Sequence, residues 1–319
     1  MHRRSLLAIA ALAPATAPAL AQARAVRVVV PYPPGGGIDI SGRIFAEAVG
    51  PLLGEAWVIE NRSGANGAVG SAAAARAEPD GRTLLCNSDS HLLARGVMRQ
   101  VPYDPIADFT PIARLAISPL VLVGAPGLVP TDLPALLADI RANPARHAFA
   151  NTSLGTSGHL ATEVFRLEAG EPVLVVSYRG TGPALQDVVG GQTSLMMAPL
   201  LSALPLIQAG RLRAYCVTGP GRAAVAPEIP NATEAGMPAL APIAPWFALW
   251  GPKGLPLAQV ARVHAAVQTA AGHPEVRRKL AELGGDPVPG ESPEAFAAFI
   301  AEAAERGLSI LRRAGVQPE

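Results

Sequence analysis

Charge is sparse in this sequence, and lysine is almost missing from it. Only 16% of the 319 residues are charged, and 26 basic against 25 acidic residues give a formal net charge of +1. Lys253 and Lys279 are the only two lysines, and no long basic block occurs. Binding to nucleic acid through its phosphates requires clustered cations. We therefore expect no nucleic-acid partner.

Cysteine is scarce as well. Cys86 and Cys216 are the only two, and each lies in a strand-like run. Export would permit a disulfide, but we expect two buried free thiols, one in each half of the fold. The six histidines show neither His-x-His nor His-x-x-x-His spacing, and no Cys-x-x-Cys occurs. No metal site is expected, and we expect no other cofactor.

Residues 1–23 have the pattern of a signal peptide. Two arginines precede an apolar stretch over residues 6–13, and Ala21-Gln22-Ala23 forms a small-x-small cleavage site. A membrane anchor needs about 20 apolar residues, whereas this stretch is short and interrupted by two prolines. We therefore expect export to the periplasm with cleavage after Ala23.

The remaining chain predicts an α/β fold with two lobes. Half of all residues are hydrophobic, which excludes disorder, and the length favours two domains. Short β-branched runs alternate with amphipathic helical stretches, which is typical of doubly wound parallel sheets. Extended runs at 111–123 and 246–250 are interpreted as crossing strands. Lobe 1 would comprise residues 24–119 plus 243–319 and lobe 2 residues 120–242, with a ligand in the cleft of this clamshell.

The loop between the first strand and the first helix is the leading candidate for ligand binding. It carries three consecutive glycines, Gly35 to Gly37, followed by Ile38 and Asp39. Glycine lets a backbone approach a ligand closely, and a helix start offers free N–H groups to a carboxylate or phosphate. A tight turn with Asp39 as N-cap is the alternative. A dinucleotide fingerprint fails because Ile40 stands where its third glycine belongs.

A polar loop in the second lobe is the matching candidate. Residues 151–159 follow a strand and open a helix, and Ser153, Thr156 and Ser157 place hydroxyl groups near its exposed N–H groups. A hydrolase motif Gly-x-Ser-x-Gly would need glycine where His159 stands, so a catalytic pair of Ser157 and His159 is not expected.

Two further strand ends carry polar residues. Ser88 and Asp89 end the third strand of lobe 1, and Tyr178 to Thr181, including Gly180, end a strand of lobe 2. Capped turns are the alternative interpretation of both.

Motifs along almost the whole mature chain resemble, in order, those of one family. They are Pro31–Asp39, Glu60–Gly67, Pro79–Leu84, Tyr103–Pro105, Asp108–Pro111, His159-Leu160, Tyr178–Gly180, Gly190–Gln192, Glu234–Gly236 and Trp246-Phe247. The chain is similar to the Bug-type, or tripartite tricarboxylate transporter, substrate-binding proteins. This resemblance implies a clamshell like that of type II periplasmic binding proteins, which closes on a small ligand, commonly a carboxylate.

The resemblance also implies ligand contacts through loop amides, hydroxyls and ordered water. Carried over to this sequence, they fall on Gly36, Gly37, Ile38, Asp39, Asn66, Ser88, Asp89, Ser153, Thr156, Ser157, His159, Tyr178, Gly180, Thr181 and Ala198. Three features depart from the family pattern: Ile38 replaces the usual threonine, Asn151 and Ser153 replace a Ser-x-Gly pattern, and Ala198 stands where an acidic residue is frequent. These departures bear on which ligand is bound.

The expected function is that of a monomeric receptor without enzymatic activity. It would capture a small carboxylate and deliver it to the membrane subunits of a tripartite transporter. A receptor that presents its ligand to a sensor kinase is an alternative. A hydrolase or transferase on a related α/β scaffold is another, since fold analogy does not exclude it.

Overall fold

The computed structural model describes residues 25–318 except 153, 171, 179, 180 and 283. The predicted signal peptide, Ser153 and Gly180 therefore lie outside the described residues. The strands are β1 (Val26–Val30), β2 (Trp57–Asn61), β3 (Thr83–Ser88), β4 (Phe109–Ile117), β5 (Leu120–Gly124), β6 (Ala148–Asn151), β7 (Leu174–Ser177), β8 (Leu195–Pro199), β9 (Arg213–Val217), β10 (Trp246–Pro252) and β11 (Asp286–Pro287). The helices are α1 (Gly37–Leu53), α2 (Ala68–Ala75), α3 (Ser90–Val97), α4 (Leu133–Ala142), α5 (Ser157–Ala169), α6 (Thr181–Val189), α7 (Leu200–Gln208), α8 (Leu257–Gly272), α9 (Pro274–Ala281) and α10 (Pro293–Arg313).

Two sheets form the two predicted lobes. The sheet of lobe 1 has the order β11-β4-β10-β3-β1-β2, and that of lobe 2 the order β7-β6-β8-β5-β9. The α/β clamshell is thereby confirmed, but the sheets are mixed rather than parallel. β10 runs antiparallel to β3 and β4, and β5 runs antiparallel to β8 and β9. Both are the strands with which the chain enters a sheet from the other lobe, so no crossover helix sets their direction.

The division of the chain between the lobes stays a prediction, although the strands agree with it. The expected boundary at 119/120 falls between β4 and β5, and that at 242/243 falls between β9 and β10. The C-terminal helix α10 belongs to the stretch assigned to lobe 1. It contacts α3 and β4 of that lobe, but also α5 of lobe 2.

An apolar cluster joins the lobes beside the cleft. Leu93 and Val97 of α3 and Ile310 and Leu311 of α10 belong to the same buried cluster as the lobe 2 core. The lobes therefore bury apolar surface against each other, which stabilises the contact between them.

Both cysteines are free and buried, as predicted. Cys86 lies in β3 of the first sheet and Cys216 in β9 of the second. Burial raises the pKa of both thiols to about 12, so neither forms a thiolate at neutral pH. Within the described part of the chain, no helix has the length and apolar character needed to cross a bilayer.

Candidate functional site

The start of α1 is an exposed glycine loop without a side-chain cap among the described residues. Gly35 has a φ of +87°, which favours glycine. Gly36 is the N-cap with an extended backbone, and no side chain among the described residues caps the helix there. All three glycines of the loop are exposed. The first amides of α1 thus lie at the surface, at the positive end of a helix dipole.

The loop glycines differ in what surrounds them. A Cβ at Gly37 would lie 2.9 Å from Cζ of Phe247 in β10, whereas a Cβ at Gly36 would meet no described atom within 4 Å. Packing against Phe247 therefore restricts Gly37 to glycine. A methyl group added at Gly36 contacts no described atom, so its effect on ligand binding can be measured without a packing defect.

The Asp39 carboxylate holds the glycine loop 35–37 in place through hydrogen bonds. Its carboxylate accepts hydrogen bonds from the Arg43 guanidinium (3.0 and 3.1 Å), Asn61 Nδ2 (2.9 Å) and the Gly35 N–H (2.9 Å). Burial would raise the pKa of Asp39, but these hydrogen bonds outweigh it and the pKa lies below its usual value. Asp39 is not the N-cap that the alternative reading proposed. Its oxygens are engaged within the protein, and direct contact with a ligand stays a prediction.

A row of hydroxyl groups runs along the end of β3. The Ser90 Oγ lies 2.9 Å from both the Tyr32 hydroxyl and the Ser88 Oγ. The Tyr32 hydroxyl also donates to the carbonyl oxygen of Asn66 at 3.3 Å, and burial raises the pKa of Tyr32 to about 12. The row therefore consists of neutral donors and acceptors.

Hydrogen bonds of Ser157 and Asn66 connect the two lobes. The Ser157 Oγ donates to the Asp89 carboxylate in a short bond, and the Ser157 N–H donates to the same group. Asn66 Nδ2 donates to the carbonyl oxygen of Leu154 at 3.2 Å. Asp89 is partly buried, and this burial raises its pKa to about 6 although hydrogen bonds from Ser157, Ser90 and Ser88 lower it. A carboxylate of lobe 1 is thus seated at the N-terminus of α5.

The remaining residues of the second-lobe loop serve local structure. Thr156 is the N-cap of α5, and its Oγ1 accepts the N–H of His159 at 3.3 Å. His159 is 3% exposed, and its Nδ1 accepts the N–H of Gly155 at 3.1 Å. Its Nε2 lies 3.8 Å from Glu163. The imidazole is thus directed into lobe 2, and a ligand contact of His159 stays a prediction.

The other predicted contacts are dispersed. The Tyr178 hydroxyl donates to Asp187 at 2.8 Å, and Thr181 is the first residue of α6. Ala198 is fully buried in β8, where it pairs with Val121 of β5. The Ile38 carbonyl oxygen lies 3.7 Å from the Cys86 Sγ. Ligand contacts of these residues stay predictions.

A cavity of about 370 Å³ adjoins the contact between Asp89 and Ser157. Apolar residues such as Leu160, Trp246 and Phe299 line it, and the loop of three glycines does not. Arg114 and Arg306 also line it and were missed at the sequence level. Asp89, Ser157 and Trp246, which the sequence analysis had singled out, line the same cavity. Arg114 is bound to Glu291 at 2.6 Å and stacks 4.0 Å from the centre of the Phe299 ring.

Two α/β lobes with polar helix starts between them define a binding protein of the clamshell class. Residues 42–316 match the family described as the tripartite tricarboxylate transporter family receptor, TctC. The chain belongs to this family, which consists of periplasmic binding proteins and is generally non-enzymatic. The resemblance drawn from the motifs is thereby confirmed. Among the described residues, no group of three or more His, Cys, Asp or Glu side chains could hold a metal ion.

Individual relatives cover almost the whole chain. The protein BugT of Bordetella pertussis is 34% identical over 297 residues, which span 92% of this chain and 90% of BugT. The solved structure of the periplasmic binding protein BugD superposes with a TM-score of 0.80 at 29% identity, covering 93% of this chain and 99% of BugD. R. palustris Rpa4515 with adipate superposes with a TM-score of 0.83 at 31% identity and the same coverage of both chains.

Proposed function

We propose that this protein is a periplasmic receptor that captures a small organic acid between its lobes and delivers it to a membrane transporter of the tripartite tricarboxylate type. The start of α1 carries this proposal. Its glycine amides are exposed and have no side-chain cap among the described residues, while the adjacent Asp39 carboxylate is engaged by Arg43, Asn61 and Gly35. An anion can therefore approach the positive helix end without competing with Asp39.

The family relationship supports an acid as the ligand, since a relative was solved with adipate. The predicted signal peptide over residues 1–23 supports delivery from the periplasm. The residues of the cleft supply enough free energy for capture. A carboxylate at a helix start gains about 0.3–1 kcal/mol when exposed and up to about 2 kcal/mol when partly buried. Several hydrogen bonds of about 1.5–3 kcal/mol to a charged group bring the sum to micromolar affinity, about −8 kcal/mol, after ordering costs.

The test compares Gly36→Ala with wild type by calorimetry after a thermal-shift screen of small acids. Gly36 has a φ of −80°, and a Cβ there meets no described atom within 4 Å. We expect the melting temperature to stay unchanged and the affinity to fall at least ten-fold, because the methyl group blocks approach to the amides. Gly127→Ala, whose Cβ also meets no described atom, is the matched control outside the loop.

Two results would contradict the proposal. Equal binding by wild type and Gly36→Ala would place the site away from the start of α1. A ligand recovered chemically altered after long incubation would favour the enzyme alternative, whereas a receptor returns it unchanged.

A further inference from the structure

The start of α5 already holds a carboxylate, and it belongs to the chain itself. The Oγ and the backbone N–H of Ser157 both donate to the side chain of Asp89. The Ser88 hydroxyl and the Ser90 N–H donate to it from its own lobe. Asp89 therefore occupies the position that a ligand carboxylate would take at this helix start, and it demonstrates that the position accepts a carboxylate.

The two helix starts of the cleft are thus unequal. At α1 the nearest carboxylate, Asp39, is held by Arg43 and Asn61 inside lobe 1. No described side chain caps that helix. At α5 the N-cap Thr156 accepts a hydrogen bond from the N–H of His159, and the N–H of Ser157 donates to Asp89. One helix start is open to an incoming anion and the other is filled.

We propose that Asp89 is a specificity-determining residue, which makes the cleft select acids with one carboxylate over dicarboxylates of the same length. This inference rests on the proposed function. A second ligand carboxylate has two ways to reach α5. It can displace Asp89 and leave that residue without its partner, or it can lie beside Asp89 as a like charge, and both are unfavourable.

The charge of Asp89 is present under ordinary conditions. Burial raises its pKa to about 6, so the carboxylate is mostly ionised at pH 7.5. The hydrogen bonds from both lobes hold it in place, so it does not turn away freely when a ligand enters. The chain is therefore expected to differ in ligand preference from its adipate-bound relative.

The experiment measures affinities for two matched pairs of acids, hexanoate with adipate and butyrate with succinate, by calorimetry at pH 7.5. Wild type should bind the monocarboxylate of each pair at least ten-fold more tightly. Asp89→Asn keeps the size of the side chain and removes its charge, and Asp89→Ser removes the carboxylate altogether. Both should lower the preference at least ten-fold, mainly by strengthening dicarboxylate binding.

Asp80→Asn is the control, because it removes one negative charge from an exposed turn where Asp80 lies 3.4 Å from Arg82. It should leave the preference unchanged. The inference is overturned if wild type binds adipate as tightly as hexanoate, or if neither Asp89 variant alters the ratio while both unfold at the wild-type temperature. Failure of every acid to bind any of these proteins would refute the proposed function, and this inference with it. Binding with an unaltered ratio refutes the inference alone.

Discussion

Gly37 should tolerate no side chain, because it packs against an aromatic ring of the first sheet. An added Cβ would lie 2.9 Å from Cζ of Phe247, and Phe247 is only 9% exposed. Phe247 pairs with Ser88 of β3 and Ala116 of β4, so its backbone is fixed and the buried ring has to move to make room for the methyl group. Overpacking of this kind costs about 1–3 kcal/mol. We expect Gly37→Ala to lower the free energy of unfolding by that amount.

Urea unfolding of a double-mutant cycle with Phe247→Leu measures this contact. Leucine removes the ring atom that meets the new methyl group, so the two changes should couple by about 1 kcal/mol or more. Gly36→Ala is the control and should stay within about 0.5 kcal/mol of wild type. The packing argument is wrong if Gly37→Ala is as stable as wild type, or if the two substitutions are additive. In that case, any loss of ligand binding by Gly37→Ala would have a cause other than the contact with Phe247.

Two further predictions follow from buried ionisable groups. The pKa of Asp89 is raised by burial to about 6, so its contribution to the free energy of unfolding is full below about pH 4 and is lost as the pH rises through 6. It amounts to at most about 3 kcal/mol. Urea unfolding should therefore show that wild type loses more stability between pH 5 and pH 8 than Asp89→Asn does, and equal losses would contradict this assignment. Cys86 and Cys216 should resist a thiol reagent in the folded protein, and the urea-unfolded protein should take up two labels. One label or none would reveal oxidation that the structure does not contain.

The sequence was sufficient for the fold because its local signals are strong and consistent. The valine-rich run at 26–30 is typical of a buried strand and forms β1. Glycine is typical of helix ends, and Gly54 and Gly170 end α1 and α5 with left-handed backbones. The run at 111–123 was read as one crossing but forms β4 and β5. The short helix α3 was missed, because Asn87 to Ser90 looked like a strand end without a helix behind it.

The site was harder to predict, because its contacts join distant parts of the chain. Asp89 and Ser157 are 68 residues apart in sequence, and no local pattern pairs them. The polar residue types were recognisable in the sequence, but the sequence did not predict that Asp89 occupies the N-terminus of α5 in the other lobe. A positive φ is needed at Gly35, whereas the constraint on Gly37 comes from Phe247. Long-range packing of this kind is not encoded in the spacing of neighbouring residues.

The position of β10 has a consequence for the order in which the protein assembles. This strand lies between β3 and β4 in the centre of the first sheet, yet it is made only after all the strands of lobe 2. Lobe 2 has its five strands within a continuous stretch from β5 to β9, so it can complete its sheet while the chain is still growing. Lobe 1 has to wait, with β3 and β4 exposing unpaired edges until Trp246–Pro252 inserts between them. The sheet of lobe 1 is therefore completed only after lobe 2 has been synthesised, so the two lobes finish folding in the reverse of the order in which their first strands are made.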